Sequence, residues 1–448
     1  MDKLPLLGHT SLDAPFALQR GKVITVRQFL SDSFQLAEQL LAGQHILNLC
    51  RDRYHFAVGF TAALLTGKVS LLPPSHTKDM VERIKEFAPD VFCLHDGEAD
   101  DIATPRLTYP KAAKIREVQI PIIPADQLIA IVFTSGSTGK PLPYKKHWNF
   151  LVRNIRAQAE RLNLAHSAQD KALLATVPPQ HMYGLESSIL LPMLTGNILH
   201  AGHPFFPADI LDALKEIPQR KILITTPLHI RSLLNSIDVI PKLEMIFSAT
   251  APLPLQMAYK MESQTAAPLL EIYGSTETGQ IATRRPTHKE HWQLLPGIKL
   301  FQKANLIWAE GGHIEHPVKL NDKIDLIDES YFTLHGRTHD LINIGGKRTS
   351  LAHLNHHLQA IPGIVDGVFF MPDDSATHDI KPTRLCAFVV APDLEVSAIL
   401  AELRQRIDPV FLPRPLIHVD ALPRNSTGKL PQEDLARLRS NYMVISSS

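Results

Sequence analysis

Cysteine is scarce in this 448-residue sequence, which contains only Cys50, Cys93 and Cys386. The three residues lie far apart and none belongs to a CxxC motif, which argues against a disulfide framework and against a cysteine-ligated zinc site. Because such a composition suits a reducing compartment, we expect a cytoplasmic protein.

The sequence also lacks an excess of charge and a long apolar run. Lys and Arg total 46 and Asp and Glu total 45, so the net charge of +1 provides no field to gather nucleic acid or anionic lipid. The longest weakly polar stretch, Phe56 to Gly67, is too short to cross a bilayer, and Met1 to Arg20 lacks the features of a signal peptide. We expect no nucleic-acid partner and no stable membrane insertion.

Metal-binding motifs are missing despite 22 histidines. No HExxH segment occurs, and although His353 and His357 have the spacing to share a helix face, no third ligand can be identified beside them. Surface or capping roles are therefore favoured over a histidine metal site.

What the sequence does contain is an alternation of strand and helix patterns. In Asn48 to Pro74, two apolar strands flank a helix rich in Ala, Leu and Phe. Further strand candidates are Asp90 to Leu94, Gln127 to Phe133, Ala172 to Val177, Ile222 to Thr225, Met245 to Ser248 and Leu269 to Ile272. This alternation and the chain length predict an α/β protein whose large N-terminal domain has parallel or mixed sheets covered by helices.

The pattern changes from about Gly336 onwards. A helix begins at Leu351, and Gly363 to Phe370 and Cys386 to Val390 have the composition of strands. This part of the sequence predicts a smaller α+β domain.

A loop of small and hydroxyl residues follows the apolar stretch Gln127 to Phe133. Glycine lets the backbone approach a ligand closely, and hydroxyl and lysine side chains add donors, so such a loop can surround a polyphosphate. Lys140 precedes Pro141 rather than Ser or Thr, which disfavours a Walker A loop, and a polar surface linker is the alternative. The loop residues are Thr134, Ser135, Gly136, Ser137, Thr138, Gly139 and Lys140.

A second segment, Tyr273 to Thr278, places Thr276 and Glu277 side by side. A threonine hydroxyl can contact a phosphate oxygen, and a glutamate carboxylate is a hard ligand that suits Mg²⁺. The alternative interpretation is a β-turn whose glutamate faces water.

These segments resemble, in content and order, the motifs of the adenylate-forming superfamily of acyl-CoA synthetases, peptide-synthetase adenylation domains and luciferases. The matching segments are TSGSTGKP, SATAPL, YGSTET, KIDL, GRTHD, NIGGKR and LPRNSTGK. The resemblance runs from about Ile131 to Leu430. The resemblance implies an N-terminal domain of residues 1–337 that binds ATP and a carboxylic acid. It also implies a mobile C-terminal domain of residues 338–448, with a hinge near Thr338 and His339.

The resemblance implies a role for each matching residue. Thr134 to Lys140 would bind the β- and γ-phosphates, Thr276 the α-phosphate and Glu277 the magnesium ion. The remaining implied ligand contacts are Thr250 and Tyr273 near adenine, Asp325 and Arg337 at the ribose, Lys429 between the carboxylate and the α-phosphate, and Gly345 and Gly346 beside the phosphopantetheine tunnel. His181 would lie beside the acyl pocket, with a packed loop histidine as the alternative.

Within the superfamily, Asn48 to Tyr54 and Trp292 to Ile298 resemble the short ligases of aryl-polyene and xanthomonadin-type pigment clusters. That resemblance implies a small aromatic acid as substrate and an acyl carrier protein as thiol partner. A ligase that uses free CoA and a non-catalytic homologue that binds nucleotide are the alternatives. The sequence departs from the superfamily pattern at Pro141-Leu142-Pro143 and at His339, which puts the detailed shape of the site in question.

Overall fold

A computed structural model describes residues 2–97, 104–134, 142–164, 170–236, 239–304, 306–337, 341–344, 347–371, 385–425 and 428–445. The chain divides into two compact units. Unit 1 comprises residues 1–301 and 308–318, and unit 2 comprises residues 302–307 and 319–448. The predicted boundary of the functional domains, between residues 337 and 338, stays a prediction, and residues 338–340 lie outside the described part of the chain.

Unit 1 contains most of the strands. Its strands are β1 (Lys3–Pro5), β2 (Pro15–Gln19), β3 (Lys22–Thr25), β4 (His45–Asn48), β5 (Val69–Leu72), β6 (Phe92–His95), β7 (Arg106–Thr108), β8 (Ile122–Pro124), β9 (Leu128–Thr134), β10 (Leu142–His147), β11 (Lys171–Ala175), β12 (Ile198–His200), β13 (Arg220–Thr225), β14 (Met245–Ser248), β15 (Leu269–Ser275), β16 (Gly279–Arg284) and β17 (Trp292–Leu294). Three further strands, β18 (Ile298–Lys303), β19 (Leu306–Gly311) and β20 (Val318–Lys319), occur where the chain passes from one unit to the other.

The helices of unit 1 connect and cover these strands. They are α1 (Val26–Gln39), α2 (Arg53–Leu65), α3 (Lys78–Phe87), α4 (Trp148–Arg161), α5 (Met182–Gly184), a π-helical segment (Leu185–Leu190), α6 (Leu191–Thr195), α7 (Pro207–Glu216), α8 (Pro227–Leu234) and α9 (Leu255–Thr265). Helix α2 is apolar on nearly all faces, and Asp52 caps its start by accepting hydrogen bonds from the backbone N–H groups of Tyr54 and His55. A helix that is apolar all round must be buried, and α2 lies in the main core of the unit.

Two large sheets build unit 1. The first has six strands in the order β10-β9-β5-β4-β6-β7 and is parallel except for the edge pair β10 and β9. In the second sheet, β12, β11, β13, β14 and β15 are parallel neighbours, and β16 returns antiparallel to β15. The predicted α/β class is confirmed, and so is the strand, helix and strand order predicted for residues 48–74.

Unit 2 has the α+β character predicted from the sequence. Its strands are β21 (Asp322–Leu326), β22 (Tyr331–Arg337), β23 (Leu341–Ile344), β24 (Lys347–Ser350), β25 (Asp366–Phe370), β26 (Cys386–Val390) and β27 (Leu416–His418), and its helices are α10 (Leu351–Gln359), α11 (Val396–Arg406) and α12 (Gln432–Ile445). Strand β26 pairs antiparallel with β25 and parallel with β27, and α10 and α11 pack against this sheet through Leu354, Leu358, Ile399 and Leu403.

Within the described residues, no helix combines the length and the apolar character needed to span a membrane.

Candidate active site

Several predicted site residues follow the carboxyl ends of neighbouring parallel strands in unit 1. Strands β11, β13, β14 and β15 run parallel, so their carboxyl ends share one edge of the sheet. His181 lies in the segment after β11, Thr250 follows β14, and Tyr273, Thr276 and Glu277 lie at and beyond the end of β15. Ligands bind at this edge of open α/β sheets, because the strand-to-helix loops that follow the strands converge there.

Tyr183, which follows β11 in the chain, bonds the ends of two neighbouring strands and was missed by the sequence analysis. Its hydroxyl lies 3.3 Å from the carbonyl oxygen of Thr225, the last residue of β13. The same hydroxyl lies 3.1 Å from the carbonyl oxygen of Phe247, the residue before the end of β14. Burial raises the pKa of Tyr183 well above its usual value, so the phenol stays a neutral donor. The sequence feature that could have identified Tyr183 as a site residue is its position two residues after His181 in the PPQHMYG segment.

His181 is partly buried and precedes the short helix α5. Its carbonyl accepts a hydrogen bond from the backbone N–H of Leu185 at 2.7 Å, which fixes the entry into the helical segment. A Cβ on Gly184 would clash with the carbonyl of Pro178, so this close return of the chain needs glycine. The acyl-pocket assignment of His181 stays a prediction.

Thr276 and Glu277 occupy the tip of the hairpin formed by β15 and β16. The three-residue turn Thr276–Thr278 is closed by Ser275 and Thr278, whose side chains and backbone N–H groups exchange hydrogen bonds of 3.1 to 3.2 Å. Gly279 follows with φ +69°, the left-handed conformation typical of the end of such a turn. The turn was one of the two interpretations of the segment, but Glu277 is partly buried rather than fully exposed to water.

A second hairpin brings Thr134 to the same place. Strand β10 returns antiparallel to β9 with Leu142 opposite Thr134, so the predicted phosphate loop joins two strands rather than a strand and a helix. The side chains of Glu277 and Thr134 both lie close to the hydroxyl of Tyr144 on β10. Burial is the main reason that the pKa of Tyr144 is raised, and the nearby Glu277 carboxylate adds to it. The other predicted loop residues, 135–140, lie outside the described part of the chain.

Lys146 on the same strand is a further site residue that the sequence analysis missed. Its ammonium donates a hydrogen bond to the carbonyl oxygen of Thr276 at 2.5 Å. The hairpin tip is therefore bound to β10 at the Thr276 backbone, and Tyr144 on the same strand lies close to the Glu277 side chain.

Thr250 adopts φ +79°, a backbone conformation that β-branched residues rarely adopt. Such strain costs about 1–3 kcal/mol and persists where the surroundings dictate the backbone path, which occurs most often at functional sites. Tyr273 lies on the neighbouring strand, and its ring centroid is 5.6 Å from that of Trp292. The guanidinium carbon of Arg284 lies 4.6 Å from the centroid of the Trp292 ring. Both residues assigned to the adenine surroundings thus lie at adjacent strand ends.

The predicted ribose contacts belong to unit 2. The carboxylate of Asp325 on β21 lies 2.7 Å from Nε2 of His335 on β22 and is 67% exposed. Arg337 ends β22 opposite Asp322, and its side chain is outside the described part. The ribose assignment of both residues stays a prediction. Gly345 and Gly346 also lie outside the described residues.

Lys429 is exposed in a loop of unit 2 whose backbone is closely held. The backbone N–H of Lys429 donates to Oδ1 of Asn425, and the N–H of Asn425 donates to the Lys429 carbonyl, both at 2.9 Å. Arg424 donates to the carbonyl of Gly428 at 2.7 Å and forms a bidentate pair with Asp366 at 2.6 and 2.8 Å. The loop is thereby anchored to the first residue of β25.

The donor set at the hairpin tip fits a magnesium nucleotide. Glu277 supplies a hard carboxylate, Thr276 is its neighbour in the turn, and Tyr144 lies close to the side chains of both Glu277 and Thr134. Elsewhere, His353 and His357 share a face of α10 with ring centroids 4.5 Å apart, as their spacing predicted. No group of three or more His, Cys, Asp or Glu suited to a metal ion occurs among the residues that the structure describes.

Comparisons with known proteins show what the chain resembles. The family model described as AMP-binding enzyme matches residues 8–304. The 4-coumarate–CoA ligase of Rhodobacter capsulatus is 29% identical over 279 residues, which cover 62% of this chain and 67% of the relative. The 3,4-dihydroxybenzoate–[aryl-carrier protein] ligase of Bacillus anthracis is 22% identical over 320 residues, which cover 69% and 74%.

One solved structure is that of o-succinylbenzoate coenzyme A synthetase from Bacillus subtilis in complex with ATP and a magnesium ion. It aligns with a TM-score of 0.80 at 19% sequence identity and covers 97% of this chain and 100% of the other. At this identity the likeness shows a shared two-domain fold and nothing finer.

Proposed function

The chain belongs to the AMP-binding enzyme family, and we propose that it uses ATP to convert a carboxylic acid into an acyl-AMP with release of pyrophosphate, and then transfers the acyl group to a thiol. The observation that carries this proposal is the meeting of two hairpin tips in unit 1. Lys146 on β10 donates a hydrogen bond to the carbonyl of Thr276, and the same strand pairs with the end of β9 at Thr134, where the glycine-rich loop begins. These contacts bring together two segments that are far apart in sequence and that are each suited to phosphate or magnesium.

The chemistry requires such a site because a carboxylate is a poor electrophile, from which a nucleophile would have to expel oxide. Attack of a carboxylate oxygen on the α-phosphorus of ATP breaks the bond to pyrophosphate and gives the acyl group a good leaving group, AMP. Positioning and charge neutralisation supply most of the rate enhancement in reactions of this kind. A magnesium ion held by Glu277 would neutralise charge on the phosphate oxygens.

The proposed contacts of the nucleotide follow the superfamily resemblance. Residues 134–140 bind the β- and γ-phosphates, Thr276 donates to the α-phosphate, and Thr250 and Tyr273 border the adenine. Asp325 and Arg337 bind the ribose hydroxyls, and Lys429 contacts the carboxylate and the α-phosphate during adenylation. We propose that residues 338–448 then turn about a hinge at 338–339, so that Gly345 and Gly346 border the path of the thiol.

For the acid and the acceptor, the proposal is a small aromatic acid and the phosphopantetheine thiol of an acyl carrier protein. The relatives named above act on 4-coumarate and 3,4-dihydroxybenzoate, both small aromatic acids, and one of the two uses an aryl-carrier protein. The Tyr183 side chain reaches the ends of β13 and β14, where the acyl group would lie, and His181 precedes it by two residues. Free CoA is the alternative acceptor, since the 4-coumarate relative is a CoA ligase.

Acid-dependent exchange of labelled pyrophosphate into ATP tests the first half-reaction. A panel of benzoic, hydroxybenzoic, cinnamic and fatty acids would identify the substrate class, and we expect exchange with an aromatic member. Comparing phosphopantetheinylated carrier protein with CoA as the acceptor would then separate the two acceptor proposals. A chain that binds ATP but supports no exchange with any acid would instead be a non-catalytic homologue.

A further inference from the structure

Lys146 has no role in the chemistry proposed above, yet it bonds the turn that carries Thr276 and Glu277. Adjacent side chains of a strand point to opposite faces, and on β10 the Lys145 side chain is exposed whereas Lys146 is partly buried. From that inner face the Lys146 ammonium reaches the carbonyl oxygen of Thr276 at 2.5 Å. It is a long-range contact between the two hairpins.

A buried polar layer lies beneath the turn. Glu186 in the π-helical segment is 1% exposed, and the amide of Asn154 donates a hydrogen bond to it. Gln280, the second residue of β16, donates a hydrogen bond from Nε2 to Oγ of Ser187, the residue after Glu186, at 2.8 Å. A Cβ on Gly279 would overlap both Asn154 and Glu186, which shows how closely the hairpin rests on this layer.

The charges around Lys146 favour a cation at this position. Burial lowers the pKa of Lys146, and the negative charges of Glu186, Glu277 and Glu315 oppose that effect. Burial in turn raises the pKa of Glu186, and the charge of Lys146 opposes it. The carboxylates of these three glutamates attract the Lys146 ammonium, which is also held by its hydrogen bond to the Thr276 carbonyl.

We propose that Lys146 is a positioning residue that fixes the Thr276–Glu277 turn against β10 and so aligns it with Thr134 for binding of magnesium-ATP. The inference rests on the proposed function. The internal bonds between Ser275 and Thr278 set the shape of the turn, but they do not set where its tip lies relative to Thr134. The Lys146 bond supplies that restraint at the backbone of the residue next to Glu277.

The experiment compares Lys146→Met and Lys146→Arg with Lys145→Met, which alters the exposed lysine of the same strand. Binding of magnesium-ATP is measured by calorimetry without acid, and pyrophosphate exchange is measured as a function of ATP and of acid. We expect Lys146→Met to weaken magnesium-ATP binding and to raise the KM for ATP by about tenfold or more, the effect of losing a charged hydrogen bond. The KM for the acid should stay within about twofold of wild type.

Conservative rescue and a double variant separate positioning from general stability. Lys146→Arg keeps a charged donor and should recover much of the ATP affinity, while Lys145→Met should behave as wild type. Lys146→Met leaves Glu186 without its cation, so the double variant Lys146→Met/Glu186→Gln should regain thermal stability without regaining ATP affinity. Recovery of both together would show that Lys146 only neutralises Glu186 and would overturn the inference.

Two other results would also overturn it: magnesium-ATP binding by Lys146→Met within about twofold of wild type, or equal rises in the KM values for ATP and acid. Failure of the proposed function is distinguishable, because a wild-type chain that binds magnesium-ATP but exchanges with no acid would refute acid activation alone. The binding comparison would then still decide the role of Lys146. A wild-type chain that does not bind magnesium-ATP would contradict both proposals.

Discussion

Replacing Asp366 tests whether the loop that carries Lys429 must be held in place for the proposed adenylation step. Its carboxylate accepts two hydrogen bonds from Arg424 and one from the backbone N–H of Gly367, and Arg424 in turn holds the carbonyl of Gly428, the residue before Lys429. The Asp366 and Arg424 side chains are 12% and 17% exposed, so solvent screens their pairing only in part. Asp366→Asn removes the charge and one acceptor while keeping the shape.

The expected magnitude follows from the number and burial of these bonds. Hydrogen bonds to charged groups contribute about 1.5–3 kcal/mol, so weakening the bidentate pair should reduce the population of the ordered Lys429 loop by about tenfold to a hundredfold. Pyrophosphate exchange should fall by a similar factor. Transfer of the acyl group from chemically supplied acyl-AMP should fall much less, because the role proposed for Lys429 belongs to the first half-reaction.

The control is Glu402→Gln, which breaks the more exposed pair of Glu402 and Arg406 on α11 in the same unit. Pairs of this kind contribute only about 0.3–0.5 kcal/mol, so both half-reactions should stay near wild type. The reasoning would be refuted if Asp366→Asn exchanged pyrophosphate at the wild-type rate, or if its two half-reactions fell equally with a lowered melting temperature.

Three further substitutions test the proposed site. Glu277→Gln removes the charge for magnesium with little change in volume and should abolish pyrophosphate exchange with an unchanged melting temperature, so wild-type exchange would contradict the assignment. Gly346→Leu puts a side chain on the proposed thiol path and should slow transfer more than adenylation, whereas equal losses would argue against that path. Lys429→Ala should lower adenylation by about a hundredfold or more and spare transfer from supplied acyl-AMP, and a parallel fall in both rates would show a structural role instead.

The parts of the fold that the sequence predicts well are those with local signals. Strands such as β9 and β13 are apolar runs ended by turn residues, and α2 is an apolar helix capped by Asp52, so neither needs information from distant residues. The residues of the Thr-Glu turn could also be placed, because motifs at the ends of parallel strands meet at one sheet edge.

Contacts made by long-range pairing could not be predicted in this way. Strand β10, with the sequence LPYKKH, is polar and largely exposed, so it carries no apolar periodicity that would identify it as a strand. Tyr144 and Lys146 were missed because their contacts with Glu277 and Thr276 depend on where that strand lies. The pairing of Arg424 with Asp366 is hidden for the same reason, since the two residues lie in separate elements.

The most direct test of acid activation follows the carboxylate oxygens. With the acid identified by pyrophosphate exchange, and labelled with oxygen-18 in its carboxylate, one complete turnover in the presence of a thiol acceptor is analysed by mass spectrometry. Because a carboxylate oxygen attacks the α-phosphorus and stays there when the thiol displaces AMP, the account predicts AMP that carries one labelled oxygen, together with unlabelled pyrophosphate. Label in inorganic phosphate alongside ADP, or AMP without label, would contradict it.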